Sequence, residues 1–405
     1  MNKKLGLAVA GAVLAFGASA ANAGIIIPAG DWTVDIGGNV NTYYTNTRFS
    51  GDAFAGVARK NQVSTGLLPS ALGIGAKTRQ NDLDIAFQFT FFVGANGEEG
   101  FGTTGSAGPN YQSRAGGGNS INIRQAYLTF GDASWGTIKA GRDLGLFGSD
   151  AILSDMTLLG VGVGAGGPGN STLGRIGSGY VYADWIGQIQ YASPNWNGFS
   201  FAVAAREGLR NDGVLLTTAT ADDKTELGFD GKVSYEWAGD FSGKVWAGFI
   251  TQKHNNSTTG DYRSRGYDLG GKINVADFGL VGYYYDGKGL DIQTGGQLGG
   301  LQFLGGNKSD DKGGYVQATY KLPQVGTKLG VSYGISKSDN SSSSIYNPGV
   351  DFENKSWIVG AYHPLTKSLN LVAEYAHQKV EASNTAAGNV DGKAKTISLG
   401  AILFF

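Results

Sequence analysis

The stretch Asp31-Trp32-Thr33-Val34-Asp35-Ile36-Gly37-Gly38-Asn39-Val40-Asn41-Thr42-Tyr43-Tyr44 alternates without a break. Trp32, Val34, Ile36, Val40 and Tyr44 share one face, and Thr33, Asp35, Asn39 and Asn41 share the other. A repeat of two residues is that of an extended strand with one apolar and one polar side. Leu83, Ile85, Phe87, Phe89 and Phe91 repeat it against Asp84, Gln88 and Thr90. Leu227, Phe229, Val233 and Tyr235 repeat it against Glu226, Asp230, Lys232 and Glu236.

Sixteen such segments run near 31–45, 69–78, 82–94, 120–131, 135–143, 184–193, 197–207, 224–238, 241–254, 265–275, 278–286, 313–322, 326–337, 355–364, 368–381 and 394–405. Most are long enough to cross a bilayer when tilted. Short connections, such as Ala238-Gly239-Asp240 and Ala276-Asp277, alternate with long polar ones, such as 46–68, 95–119, 143–183 and 287–312. Short turns on one side and long loops on the other mark a transmembrane β-barrel. An even strand number returns both chain ends to the short-turn side, and closure leaves no backbone edge in lipid. The expected fold is all-β: an antiparallel barrel of about 16 strands with periplasmic turns and extracellular loops. A soluble β-sandwich would also alternate. Charges at mid-strand and the unbroken run of long strands argue against it. So do the aromatic groups Tyr43-Tyr44, Tyr283-Tyr284-Tyr285 and Phe404-Phe405, which are expected to form interfacial girdles.

Composition narrows the chemistry. The 405 residues include 68 Gly and no Cys, which excludes a disulfide scaffold, a thiolate metal site and a thiol nucleophile. With 32 basic against 33 acidic residues, the chain has no bulk positive charge for nucleic acid. The N-terminus reads as a leader. Lys3 and Lys4 precede the apolar run Leu5–Phe16, and Ala21-Asn22-Ala23 fits a cleavage site. Residues 1–23 are expected to be removed and 24–405 to form a single barrel domain. Loss of Lys3 and Lys4 takes the formal charge from −1 to −3. At the other end, Phe405 shares a face with Leu403, Ala401, Leu399 and Ile397.

Several stretches resemble the Gram-negative general porins, the trimeric sixteen-stranded family. Arg124-Gln125-Ala126-Tyr127-Leu128-Thr129-Phe130-Gly131 is similar to that family's fourth strand, and Gly136-Thr137-Ile138-Lys139-Ala140-Gly141-Arg142 to its fifth. Ile189–Pro194 with Gly198–Phe201 resembles its sixth and seventh strands, and the terminal Phe405 also fits. The resemblance implies passive diffusion of small hydrophilic solutes and ions, no enzymatic activity and no cofactor. It implies a homotrimer in contact with outer-membrane lipid and lipopolysaccharide. Phe405, Leu403, Ala401, Leu399 and Ile397 would then be the signal read by the barrel assembly machinery.

In that family the third loop, here about 143–183, folds into the pore and sets acids against wall cations. Asp155 resembles such an acid and Asp150 is a second candidate. Arg124 and Arg175 are the matching cations, although Arg124 shares its parity with the apolar Leu128 and Phe130. Asn39 and Ala71 stand where the family commonly has basic residues. Parity counts 8 lumenal acids against 6 or 7 bases, so a neutral or mildly cation-preferring pore is expected. The family's second loop latches onto a neighbouring subunit. Here that implies Glu98 or Glu99 pairing with Arg142, whose parity points away from the lumen.

Other motifs carry less. Gly162–Gly167 matches G-x-G-x-x-G but has no strand–turn–helix context for a dinucleotide. His254, His363 and His377 have no metal-ligand spacing, so no metal site is expected. A barrel hydrolase would need a His and a carboxylate together, yet Glu374 and His377 fall on opposite faces. Asp310-Asp311 reads as a solvated loop before it reads as a Ca²⁺ site. Two alternatives to a general pore remain: a solute-specific channel, which would show saturable block, and a plugged adhesin or anchor barrel, which would not conduct.

Overall fold

The computed structural model describes residues 24–95, 121–164, 171–208, 226–254, 261–290, 309–340, 349–386 and 388–405. Sixteen antiparallel strands close on themselves. They are β1 (Trp32–Ser50), β2 (Ser70–Gln80), β3 (Leu83–Val93), β4 (Asn122–Asp132), β5 (Gly136–Leu144), β6 (Trp185–Ala192), β7 (Phe199–Arg206) and β8 (Gly228–Trp237). The second half comprises β9 (Phe241–His254), β10 (Tyr262–Val275), β11 (Phe278–Lys288), β12 (Ser309–Lys321), β13 (Lys328–Asn340), β14 (Asp351–Pro364), β15 (Leu369–Thr385) and β16 (Gly388–Phe404). Each pairs with its sequence neighbour, and β16 pairs with β1 from Lys393↔Ser50 to Phe404↔Asn39. Phe405 exchanges two backbone bonds with Gly38, at 2.9 and 3.1 Å. Both chain ends therefore meet on the short-turn side.

The pleat sorts side chains as the alternation requires. On β1, Val40 and Tyr44 are 56% and 48% exposed on the outer face, whereas Asn41 and Tyr43 are 2% and 1% exposed inside. The β2–β3 turn is two residues, Asn81 and Asp82, with φ of 48° and 62°. Positive φ at both central positions is the type I′ geometry that matches strand twist.

Two pieces escaped the alternation. Ile25–Ala29 adds to the lower end of β1, and Arg59–Ser64 pairs with Tyr43–Arg48 as a detached upper continuation of β2. Several strands also extend further toward the long loops than the apolar contrast suggests. β12 begins at Ser309 rather than near 313, and β16 at Gly388 rather than near 394. Backbone pairing continues above the bilayer, but the outer face there meets water, so the two faces no longer differ in polarity.

The expected aromatic girdles are split by the same pleat. Tyr284 is 53% exposed on the outside, but Tyr283 and Tyr285, at 5% and 0%, point inward. Phe404 is likewise buried inside, while Ile397, Leu399 and Leu403 line the outer face. Adjacent aromatics cannot share one face of a strand.

Candidate functional site

Between β5 and β6 the described residues, 145–164 and 171–184, lie against the inner wall of the barrel. Gly145 N–H donates to the Asp184 carbonyl at 2.9 Å and closes the neck of the loop. A short helix, α1 (Ser149–Ser154), follows a left-handed Gly148 with φ of 75°. A single 3₁₀ turn, Met156–Leu159, comes next. Further on, Gly162 has φ of 60°, and an added Cβ there would lie 2.5 Å from Gly174 Cα. Only glycine fits this crossing of the loop on itself.

The loop carries its own core. Phe147, Ile152, Val163, Ile176 and Tyr180 pack against Trp246, Ile250, Tyr283, Tyr285 and Tyr315 of the inner wall. Burying a side chain of this size contributes roughly 1.5–3 kcal/mol. The inward tyrosines are thus a seat for the loop. Their O–H groups also reach it: Tyr315 donates to the Ala151 carbonyl and Tyr43 to the Leu159 carbonyl, both at 2.7 Å.

Polar wall residues complete the attachment. Gln317 accepts from Met156 N at 2.7 Å and donates to the Ser154 carbonyl at 3.1 Å. Glu374 Oε2 accepts from Val161 N and Gly162 N at 2.8 and 2.7 Å, and its Oε1 accepts from Tyr362 O–H at 2.6 Å. Asp268 accepts from Gly148 N at 3.0 Å. These groups bond the loop to β1, β10, β12 and β15, and further bonds reach β13 and β14 through Ser336 and Asn354.

Asp150 sits in the first turn of α1, between two lysines of the wall. Lys232 Nζ of β8 lies 2.7 Å from Oδ2 and Lys244 Nζ of β9 lies 2.5 Å from Oδ1. Burial by itself would raise the carboxyl; the two ammonium groups overcome it and hold it below the usual carboxylate range. Asp155 has a different setting. It accepts from Thr157 N at 3.0 Å and Thr157 O–H at 2.8 Å, capping the 3₁₀ turn, and from Tyr180 O–H at 2.8 Å. Burial raises Tyr180, and the Asp155 charge raises it further. Arg175, fully buried, donates to the Ser356 carbonyl and Oγ of β14 at 3.2 and 3.0 Å. Burial lowers Arg175, and the negative charge of Asp155 opposes that shift.

Arg124 lies on β4, away from that group. Its parity is resolved by a bulge. Thr90 pairs with Gln125 and Phe91 with Ile123, so Arg124 is the extra residue. Arg124 and Gln125 are both buried, and the guanidinium stands 4.9 Å from the Phe92 ring centroid. Alternation could not have located it, because one inserted residue inverts the parity above it. Nearby, Gln125 donates to Asp143 at 2.9 Å, and Asp143 also pairs with Lys139. On β7 and β8, Arg206 and Asp230 form a buried pair at 2.7 Å. Sequence reading passed over Lys139 and Asp143; their i, i+4 spacing on the face opposite Ile138 and Ala140 was the available signal.

The remaining residues are scattered. Arg142, on the outer parity of β5, is half-buried. Glu98 and Glu99 lie outside the described residues, as do residues 165–167 of the glycine motif and the side chain of His254. Glu374 points into the barrel, while His377 accepts from Trp357 Nε1 on the outside at 2.9 Å. Asp310 pairs outward with Lys288, whereas Asp311 accepts inward from Leu290 N and Ser338 O–H. The two acids do not converge.

A closed sixteen-stranded barrel with a long loop bonded inside its wall is the architecture of an outer-membrane channel. A family model described as Gram-negative porin matches residues 8–383, and the chain belongs to that family, in the outer membrane. The outer membrane channel DcaP of Acinetobacter baumannii shares 17% identity and a TM-score of 0.63, over 95% of this chain and 100% of that one. Salmonella typhi OmpF, in complex with daunomycin, shares 18% and 0.58, over 93% and 100%. OmpT of Vibrio cholerae, in its trimer form, shares 15% and 0.55, over 92% and 99%. At these identities the likeness is one of fold. No curated protein matches the sequence.

Proposed function

We propose that this channel is a weakly selective, non-enzymatic diffusion pore for small hydrophilic solutes and ions, with residues 143–183 as its constriction. The observation that carries the reading is the pairing of charge inside the barrel. Asp150 is held by Lys232 and Lys244, Asp230 by Arg206, and Asp143 by Lys139. The wall of β1 to β6 offers mainly amides and hydroxyls: Asn39, Asn41, Thr90, Gln125, Gln188 and Gln190. A transverse field needs opposed, unpaired charges across the passage. Here Asp150 of the loop leans on two cations of the wall that carries it, and Asp155 is satisfied within the loop by Thr157 and Tyr180. Reversal potential in a KCl gradient across a planar bilayer tests this. A value near zero is expected; a strong preference for either ion would overturn it. Saturable block by one solute would favour a specific channel instead.

The relative solved in trimer form supports a homotrimer, with Arg142 facing a neighbour's Glu98 or Glu99. An Arg facing lipid at mid-bilayer would cost about 2–4 kcal/mol, which favours a partner for it. Residues 1–23 would be the cleaved leader and 24–405 the mature barrel, assembled through the signal ending at Phe405.

A further inference from the structure

The wall beside β1 is interrupted. Ser64 pairs with Tyr43, and Ala71 pairs with Asn39. Between those pairs β1 has three residues, Val40–Thr42, and the facing chain has six, Thr65–Ser70, so three residues are in excess. Extra residues in one strand break the pairing and re-aim the chain. The excess turns inward, onto the far limb of the third loop. Leu67 N–H donates to the Gly160 carbonyl at 2.8 Å, and Thr172 N–H donates to the Gly66 carbonyl at 3.0 Å. Leu67 joins the apolar cluster of Leu158, Val163 and Leu173. An added Cβ on Gly66 would lie 2.1 Å from the Gly160 carbonyl oxygen, so only glycine permits this approach.

Two amides of β1 hold the inward turn. Asn41 Oδ1 accepts from Gly66 N at 2.9 Å, and its Nδ2 donates to the Leu68 carbonyl at 2.9 Å and to Asn39 Oδ1 at 2.8 Å. Asn39 Nδ2 donates to the Pro69 carbonyl at 3.3 Å. Both side chains are buried, and their amides satisfy backbone groups that the broken ladder would leave unpaired. On the opposite flank Glu374 of β15 accepts from Val161 N and Gly162 N, directly after Gly160. The limb of the loop that carries Gly160 is therefore fastened from two sides of the wall.

We propose that Thr65–Pro69 is a second element of the constriction, and that Asn41 is the positioning residue that sets it against the loop. The proposal rests on the reading of residues 143–183 as the constriction. Of the five residues Thr65–Pro69 only Leu68 is half-buried, as is Leu159 of the loop, and both pack at the margin of one apolar cluster. They form an apolar edge whose place is fixed by the two fastenings. Passage beside this edge is limited by a constant width, and pore diameter is one of the terms that set which solutes pass.

Hydrogen exchange of the detergent-solubilised protein and single-channel recording in planar bilayers test this together. In Asn41→Ala the amides of Leu67 and Thr172 should exchange about ten-fold faster, because the side-chain bonds that hold the turn are lost. Open-channel current should become noisier, and larger polyethylene glycols should enter the pore. Thr47→Val removes a bond to Thr396 on the same inner face of β1, away from the turn, and should change none of these readouts. A second variant lacks Gly66, Leu67 and Leu68, which leaves Thr65, Pro69 and Ser70 opposite Thr42, Asn41 and Val40 in an unbroken register. It should admit larger polymers than the parent. Heat-modified mobility on gels checks that each variant is a folded barrel. Parental exchange at Thr172 in Asn41→Ala would overturn the proposal, as would a parental polymer limit in the deletion variant. A parent that does not conduct would overturn the pore reading, and the proposal with it.

Discussion

The two sides of the lumen wall solve different problems. The wall from β8 to β15 is aromatic and charged, and nearly all of that chemistry faces the loop it supports. Trp246, Tyr283 and Tyr315 pack beneath it, Lys232 and Lys244 hold Asp150, and Glu374 holds the Val161–Gly162 turn. The wall from β1 to β6 is mainly Asn, Gln and Thr, with Lys139 and Asp143 paired to each other and Arg124 set against the Phe92 ring. The difference teaches that lumenal charge is not pore charge. A carboxylate with two ammonium neighbours contributes to the attachment of the loop and little to the field in the passage. Counting acids and bases by parity misses this, because the count does not know which charges touch.

The comparison breaks most readily at Glu374. Glu374→Ala removes the acceptor of three donors, each costing roughly 1–3 kcal/mol when left unmade. The loop should detach from β15 while the barrel ladder stays intact. Faster protease cleavage within 143–183 and noisier single-channel current should appear together, with little change in barrel melting. A quiet, resistant loop would mean the apolar seat alone suffices.

Asp150→Asn sharpens the contrast by freeing two lysines. A unit of positive charge a few residues from the passage should raise anion permeability about two-fold to ten-fold. Because the Asp150 value is depressed, the clamp persists as pH falls through the ordinary carboxylate range and is lost only below it. Reversal potentials at neutral and mildly acid pH read both effects. No shift in the variant would place Asp150 outside the conduction path.

Asp155→Asn should behave differently. Its carboxylate is bonded to Thr157 and Tyr180 and is coupled to Arg175, so the loop should loosen by about 1–3 kcal/mol. The selectivity shift should be smaller than for Asp150→Asn. Equal shifts in the two variants would show that both acids face the pore.

The smallest effect concerns the subunit contact. Glu98→Gln with Glu99→Gln, and separately Arg142→Gln, should each weaken the proposed trimer by a similar amount, roughly 0–1 kcal/mol, read as a lower dissociation temperature in detergent. The triple variant should lose less than the sum. Strict additivity would rule out the pairing.

Sequence alone determined the barrel. Period-two segments such as Trp32–Tyr44 require two unlike solvents on the two faces of a strand, and that requirement is local. All sixteen barrel strands were legible for this reason, as were the outward Leu399 and Leu403. The family resemblance, not the alternation, marked the acids of the loop, Asp150 and Asp155. Tertiary structure decided the rest. Whether a tyrosine at a strand end forms a girdle or a seat depends on what lies inside the barrel. Arg124 turned inward because one residue was inserted opposite Thr90 and Phe91, a matter of register between two strands. The partners of Asp150 lie 82 and 94 residues away. A charge's effect depends on which opposite charge the closed wall brings against it, and only the closed wall sets that distance.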